Sequence, residues 1–264
     1  TYVGLGGGQF LLLVGRPGGF ELFSLAAMLI ALAVVPLSIT RISSPELPLT
    51  GRIPLRDLLA ASPLGLVGSA LSGTIAASFL YLAPVYARDS GFSDTGIALL
   101  MGLSILGGFL LQWPIGHLSD RFNRRDVMMG VSLAVALTSL GIVYATGRSE
   151  TAVVMMAVLW GGLAFTLYPI AVSLANYFLD PSQFLAASAG LLLVHGLGMI
   201  AGPLIATQLM ALIGPSGLFW MLAGAGLVLA GFAWLRQRVG PPIPVGEPST
   251  YRVVPRESVY AGGL

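Results

Sequence analysis

The chain alternates between long stretches that carry no charge and short clusters where the charges gather. Charge-free intervals run from Leu22 to Thr40, Leu58 to Ala87, Thr95 to Ser119, Val127 to Gly147, Thr151 to Leu179 and Pro181 to Leu235. A helix needs roughly 20 apolar residues to cross a hydrocarbon core, so each of the first five fits one span. The sixth fits two, because Gly214-Pro215-Ser216-Gly217 is a turn signature that ends one helix and begins the next. The run from Ala26 to Ala33 does not alternate apolar and polar residues, which argues for helices and against a transmembrane barrel. Seven helical spans are therefore expected. Tyr2 to Val14 is too short for an eighth and, with no initiator Met, reads as the end of an earlier helix in a longer chain.

The charges test that division. Cytoplasmic loops of membrane proteins carry an excess of Arg and Lys. One set of alternate loops holds Arg41, Arg52, Arg56, Arg121, Arg124, Arg125, Arg236, Arg238, Arg252 and Arg256, and the other only Arg16, Arg88 and Arg148. The first set, with the C-terminus, is thus expected in the cytoplasm. Tyr86, Phe92, Tyr144, Phe219 and Trp220 then fall at the outer ends of spans, and Trp113, Phe122, Tyr177, Phe184 and Trp234 at the inner ends, where amphipathic rings settle. Four blocks follow: 1–40 with one full span, a basic Pro-containing cytoplasmic linker over 41–57, six spans over 58–238, and a Pro-rich polar tail over 239–264 that is expected to be disordered. The six spans divide into three and three, and an odd number of crossings starts the second triplet on the opposite face. That is the plan of an inverted repeat. No residue-level repeat between the triplets is visible in the sequence.

Composition narrows the chemistry. Hydrophobic residues make up 56% of the chain and charged ones 9%, against about 25% charged in a soluble domain. Cysteine is absent and all 13 basic residues are Arg, so disulfides, thiolate metal sites, a Walker phosphate loop and a Schiff-base lysine are all excluded from this chain. The net charge of +2 is spread over separate loops and gives no stripe for nucleic acid. His117 and His195 stand far apart, and no Asp or Glu lies deep in a span to complete a catalytic triad. Neither a catalytic residue, a metal site nor a cofactor is expected.

Between the second and third of the six spans lies Gly116-His117-Leu118-Ser119-Asp120-Arg121-Phe122-Asn123-Arg124-Arg125. It resembles the G-x-L-a-D-r-x-G-r-[KR] signature of the major facilitator superfamily, on the loop and side where that family carries it. The match covers Gly116, Leu118, Asp120, Arg121, Arg124 and Arg125; Asn123 replaces the usual Gly, and Asn also tolerates a left-handed backbone. Gly116 would let a neighbouring helix approach, Asp120 would pair with an Arg or a helix N-terminus, and the arginines would hold the cytoplasmic face. The resemblance implies an all-α polytopic bundle and gives these residues a gating role. It numbers the first span as helix six of twelve, preceded by the tail of helix five, and the next six as helices seven to twelve. Phe20-Glu21-Leu22-Phe23, after the glycines from Gly4 to Gly8, resembles the YcaD-type subgroup of that family.

In the superfamily the first and fourth helices of each half line the central cavity. That makes Ser72, Ser78, Tyr81, Trp160, Thr166, Tyr168 and Asn176 candidate substrate contacts, although small residues at four-residue spacing such as Ser69 and Ser72 also serve helix packing. His195 joins them as an ionisable group well inside a span, with a hydrogen bond to a neighbouring helix as the structural alternative. The expected protein is a secondary transporter of a small solute by alternating access, multi-pass in the cell (plasma) membrane. Its expected partners are the solute, protons as a candidate coupling ion, the lipid bilayer and a missing N-terminal bundle. The rival readings are a lipid-acting membrane enzyme and a non-transporting sensor or scaffold.

Overall fold

The computed structural model describes residues 8, 20–39 and 53–239. The expected end of an earlier helix, most of the linker and the tail after 239 lie outside the described residues. Among the described residues nine α-helices follow one another: α1 (Phe20–Ile39), α2 (Leu55–Ala61), α3 (Pro63–Asp89), α4 (Asp94–Arg121), α5 (Arg124–Ala145), α6 (Glu150–Ala164), α7 (Leu167–Tyr177), α8 (Phe184–Ile213) and α9 (Gly217–Val239). Among the described residues there is no strand. Six segments of the described residues are long and apolar enough to cross a membrane, α6 and α7 counting together as Glu150–Tyr177. α1 is a further apolar helix whose Phe20, Met28, Ile30 and Leu32 stay exposed.

Helix boundaries follow from local chemistry. Ser62, Ser93, Asn123 and Ser149 cap α3, α4, α5 and α6, each side-chain oxygen accepting a backbone N–H of the first turn. In the turns from α3 to α4, α5 to α6 and α8 to α9, Gly91, Gly147 and Gly214 take φ of 86°, 75° and 84°, a conformation costly for a residue with a Cβ. Two expected spans are interrupted. Pro63 starts α3 at its first position and sets α2 apart, and Pro169 withholds the N–H that Phe165 would need, so the span breaks between α6 and α7.

Two seams hold the bundle together, and both are made of glycine against backbone. Between α3 and α8, a Cβ on Gly73 would sit 2.1 Å from the His195 carbonyl oxygen, and one on Gly198 2.0 Å from that of Ala70. Between α4 and α6, a Cβ on Gly107 would sit 2.2 Å from the Val158 oxygen, and one on Gly161 2.0 Å from that of Ser104. The seams are copies. One constant shift in numbering turns Ala70, Gly73 and Thr74 into Val158, Gly161 and Gly162, and a second turns Ser104, Gly107 and Leu111 into His195, Gly198 and Gly202. Each contact in one seam thereby maps onto a contact in the other, Gly202 against Thr74 matching Gly162 against Leu111. This is the inverted repeat at residue level. α5 and α9 pack on each other across the same pseudo-axis.

The core between the seams is aromatic: Phe79 stacks on Trp160 with centroids 4.4 Å apart and meets Phe165 and Phe219 edge-on. Of the aromatics expected at the membrane rims, Trp113 and Tyr144 are 77% and 70% exposed, as rim residues should be. Tyr86 and Phe219 correct that expectation. Both are fully buried, packed edge-on at 4.8 Å, and the Tyr86 hydroxyl is 2.6 Å from Thr146 Oγ1.

Candidate functional site

The α3–α8 seam carries a polar cluster near the middle of the charge-free helices. Because Gly73 and Gly198 let the backbones touch, His195 on α8 reaches over α3, its Nδ1 3.1 Å from the Ser69 carbonyl oxygen and 3.1 Å from Ser72 Oγ. A carbonyl can only accept, and Ser72 already donates its own proton to Ser69 O at 2.9 Å. Nδ1 is therefore the nitrogen that donates, and in the neutral ring this leaves Nε2 with a lone pair. Tyr168 on α7 lies against the imidazole, the ring centroids 4.4 Å apart. His195 and Tyr168 are both half-buried. They sit beside the long unpacked side of α8, where only 17% of the residues in its apolar stretch are buried, against half or more in each of the other five spans.

Ser72, Tyr168 and His195 are thus brought together, with Ser69, which reads in the sequence as helix packing alone. The remaining cavity candidates are dispersed. Ser78 is buried and bonds Thr74 O at 2.7 Å, and Thr166 bonds Leu163 O at 2.7 Å. Trp160 is fully buried, its Nε1–H donating to Ser139 Oγ at 2.9 Å. Tyr81 is 63% exposed. Asn176 keeps a buried Oδ1 with no hydrogen-bond partner among the described residues. Neither Ser139 nor the carbonyl of Ser69 was readable as a partner, since both follow from which helices touch.

The Arg-rich loop forms a second group. α4 ends at Arg121 and α5 begins at Arg124, so Phe122 and Asn123 alone make the turn. Asn123 does not adopt the left-handed backbone expected of a glycine substitute: its φ is −58°, and its Oδ1 accepts the Arg125 N–H at 2.9 Å. It serves as a helix cap, which needs a side-chain oxygen and no positive φ. Arg124 lies 3.7 Å from Asp120 and donates to the Ser173 carbonyl at 3.2 Å, tying the loop to α7. Arg125 is buried, donates to the Arg236 carbonyl at 3.4 Å and faces the Phe178 ring. Gln237 donates to Asp126. Arg121 is exposed, and among the described residues nothing lies within 4 Å of where a Gly116 Cβ would be. Among those residues no group of three or more His, Asp or Glu could hold a metal.

The model of the Major Facilitator Superfamily matches residues 5–192 and 65–258 of this chain. An uncharacterized MFS-type transporter of Enterobacter sp. (strain 638) is 32% identical over 199 residues, which cover 74% of this chain and 50% of that protein. One from Yersinia enterocolitica is 29% identical over 230 residues, covering 86% of this chain and 59% of its own length. The uncharacterized MFS-type transporter YcaD of Escherichia fergusonii is 29% identical over 233 residues, with the same coverage. The chain spans about half the length of the curated relatives it matches. No solved structure matches it.

Proposed function

The chain belongs to the Major Facilitator Superfamily, and from that premise we propose that it supplies one six-helix bundle, with one further helix, of a secondary transporter working by alternating access. In this reading residues 58–238 are the second bundle, residues 1–40 close the first, 41–57 link them and the C-terminus is cytoplasmic. The solute is small, and its binding residues lie on α3, α7 and α8, facing the other bundle. No acid, nucleophile or metal set for covalent chemistry enters this account.

The observation that carries the proposal is the His195–Ser72–Tyr168 cluster beside the unpacked side of α8. A polar cluster is costly in hydrocarbon and would ordinarily be sealed inside a bundle. This one borders the least covered helix, where a partner bundle and an aqueous cavity would meet it. At the arginine-rich end, the Asp120–Arg124–Ser173 tie supports a gating role for Gly116, Asp120, Arg121, Arg124 and Arg125. It joins a loop to the span that carries Tyr168.

The test exploits the absence of cysteine from these residues. Tyr168→Cys in the natural protein should react with a membrane-impermeant thiol reagent in both right-side-out and inside-out vesicles, since the cavity opens to each side in turn. Reaction from one face only, under every solute tried, would defeat the alternating-access reading.

A further inference from the structure

Between the His195–Ser72–Tyr168 cluster and the arginine-rich end lies a small apolar knot, separate from the main core. Leu58, the one buried side chain of α2, is 1% exposed and packs with Ala175 of α7 and with Ala187 and Leu191 of α8. Ile53, Leu66, Val172 and Leu179 close around them. Helical spacing ties this knot to the polar cluster. On α8, Leu191 and Ala187 stand four and eight residues before His195; on α7, Val172, Ala175 and Leu179 stand four, seven and eleven after Tyr168; on α3, Leu66 stands three before Ser69. Such spacings put the residues of each series on one side of their helix, at about 1.5 Å of rise per residue. The knot therefore covers the same three helix faces that carry the cluster, one to two turns nearer the arginine-rich end.

The element that supplies Leu58 is held differently from the helices beneath it. α2 has seven residues, Pro54 gives it no side-chain cap, and it enters α3 through Ser62 and Pro63. Pro63 has no N–H to give to the Leu59 carbonyl, so the two helices meet at a corner and not in one continuous ladder. Leu58 reaches α8 because Gly190 has no side chain: a Cβ there would sit 3.2 Å from Leu58 Cδ2 and 3.5 Å from Leu55 Cδ2. Arg56 and Leu59, its neighbours on the helix, are exposed. A short helix seated by one side chain can leave without unpacking the bundle. The chain before it is the linker that, in the reading above, joins the two bundles.

We propose that Leu58 is the plug that closes the polar cluster from the arginine-rich side of the membrane, and that movement of one bundle against the other withdraws it through the linker. The proposal rests on the alternating-access reading. Leu58 touches no solute; it is a positioning residue that sets how often water and reagents pass between α2 and α8. An apolar side chain wedged among Ala175, Ala187 and Leu191 keeps water out of that path while it stays seated.

The reporter is Tyr168→Cys in the natural protein, labelled with a membrane-impermeant sulfonated maleimide, each rate being taken above that of the same variant with Tyr168 restored. In inside-out vesicles, which present the arginine-rich face, L58A should speed labelling about tenfold, the scale of the apolar contact it removes. In right-side-out vesicles the rate should not rise. L59A, at an exposed position of the same helix, should stay within about twofold of the parent in both. L58V keeps most of the buried surface and should fall between, which covers the case in which L58A does not fold. Equal rates in L58A and L59A would overturn the plug, and so would equal acceleration from both faces, which is general loosening. The parent's own labelling judges the alternating-access reading separately: reaction from one face alone defeats that reading, while a tenfold contrast between L58A and L59A in inside-out vesicles still upholds the plug.

Discussion

The two seams share one backbone and differ in what they carry. Gly73 and Gly198 join α3 to α8 as Gly161 and Gly107 join α6 to α4, with the same carbonyl contacts. The shifts that superpose these glycines put Trp160 where the first seam has Ser72, and Ser104 where it has His195. Trp160 turns away to bond Ser139 and stack on Phe79, and Ser104 is consumed by the Leu100 carbonyl at 2.5 Å. One seam is thereby filled and inert, and the other holds an imidazole with a nitrogen to spare. A duplicated packing device leaves side chains free to diverge, because its four closest contacts set glycine against a carbonyl oxygen.

Breaking the shared part should have the largest effect. Gly198→Val and Gly161→Val each drive a branched side chain into a carbonyl and should each cost about 3 kcal/mol or more, read as lost folded protein on size exclusion and thermal melting. Tolerance of one but not the other would mean that the seams are not equivalent. The next effect separates them. His195→Ala should lower transport about tenfold, the scale of one hydrogen bond to substrate, whereas Ser104→Ala at the equivalent position should leave it unchanged. Equal losses would deny the special status of the first seam. A pH profile of transport that is the same with and without His195 assigns it to solute contact and not to proton movement.

Trp160→Phe removes one buried hydrogen bond and should cost about 1 kcal/mol of stability with little change in transport; a large transport defect would put the second seam in contact with solute. Asp120→Asn should slow transport severalfold while membrane insertion stays intact, because Asp120 is exposed and its 3.7 Å pair with Arg124 is worth under about 1 kcal/mol to folding. Unchanged transport would count against its gating role. Gly116→Ala, with open space around its Cβ, should shift stability by less than about 0.5 kcal/mol.

The spans were legible because charge is excluded from hydrocarbon over some 20 residues, a coarse signal that survives any detail of packing. Gly214-Pro215-Ser216-Gly217 marked its turn for the same reason that Gly214 now shows a positive φ. The breaks at Pro63 and between α6 and α7 were less legible, because Pro84, Pro114 and Pro203 sit inside continuous helices with the same local signal. The repeat was hidden because two different shifts relate its halves, and the residues it preserves are a few glycines among 35. Tyr86 and Phe219 looked like rim aromatics from their distance along the chain, but which side of a helix meets another helix is set only by the crossing. The His195 cluster was half readable: the residue was suspect by depth, while Ser69 and Ser72 became its partners only through Gly73 and Gly198.

Helices meshed backbone to backbone resist slipping along their axes, because moving one residue along brings a Cβ where a glycine now leaves room. Under the alternating-access reading proposed above, such a bundle would turn as a stiff block and not shear. Whatever yields during a working stroke must then be found in the joints, and the break before Pro169, one turn from the ring that rests on His195, is the joint nearest the cluster.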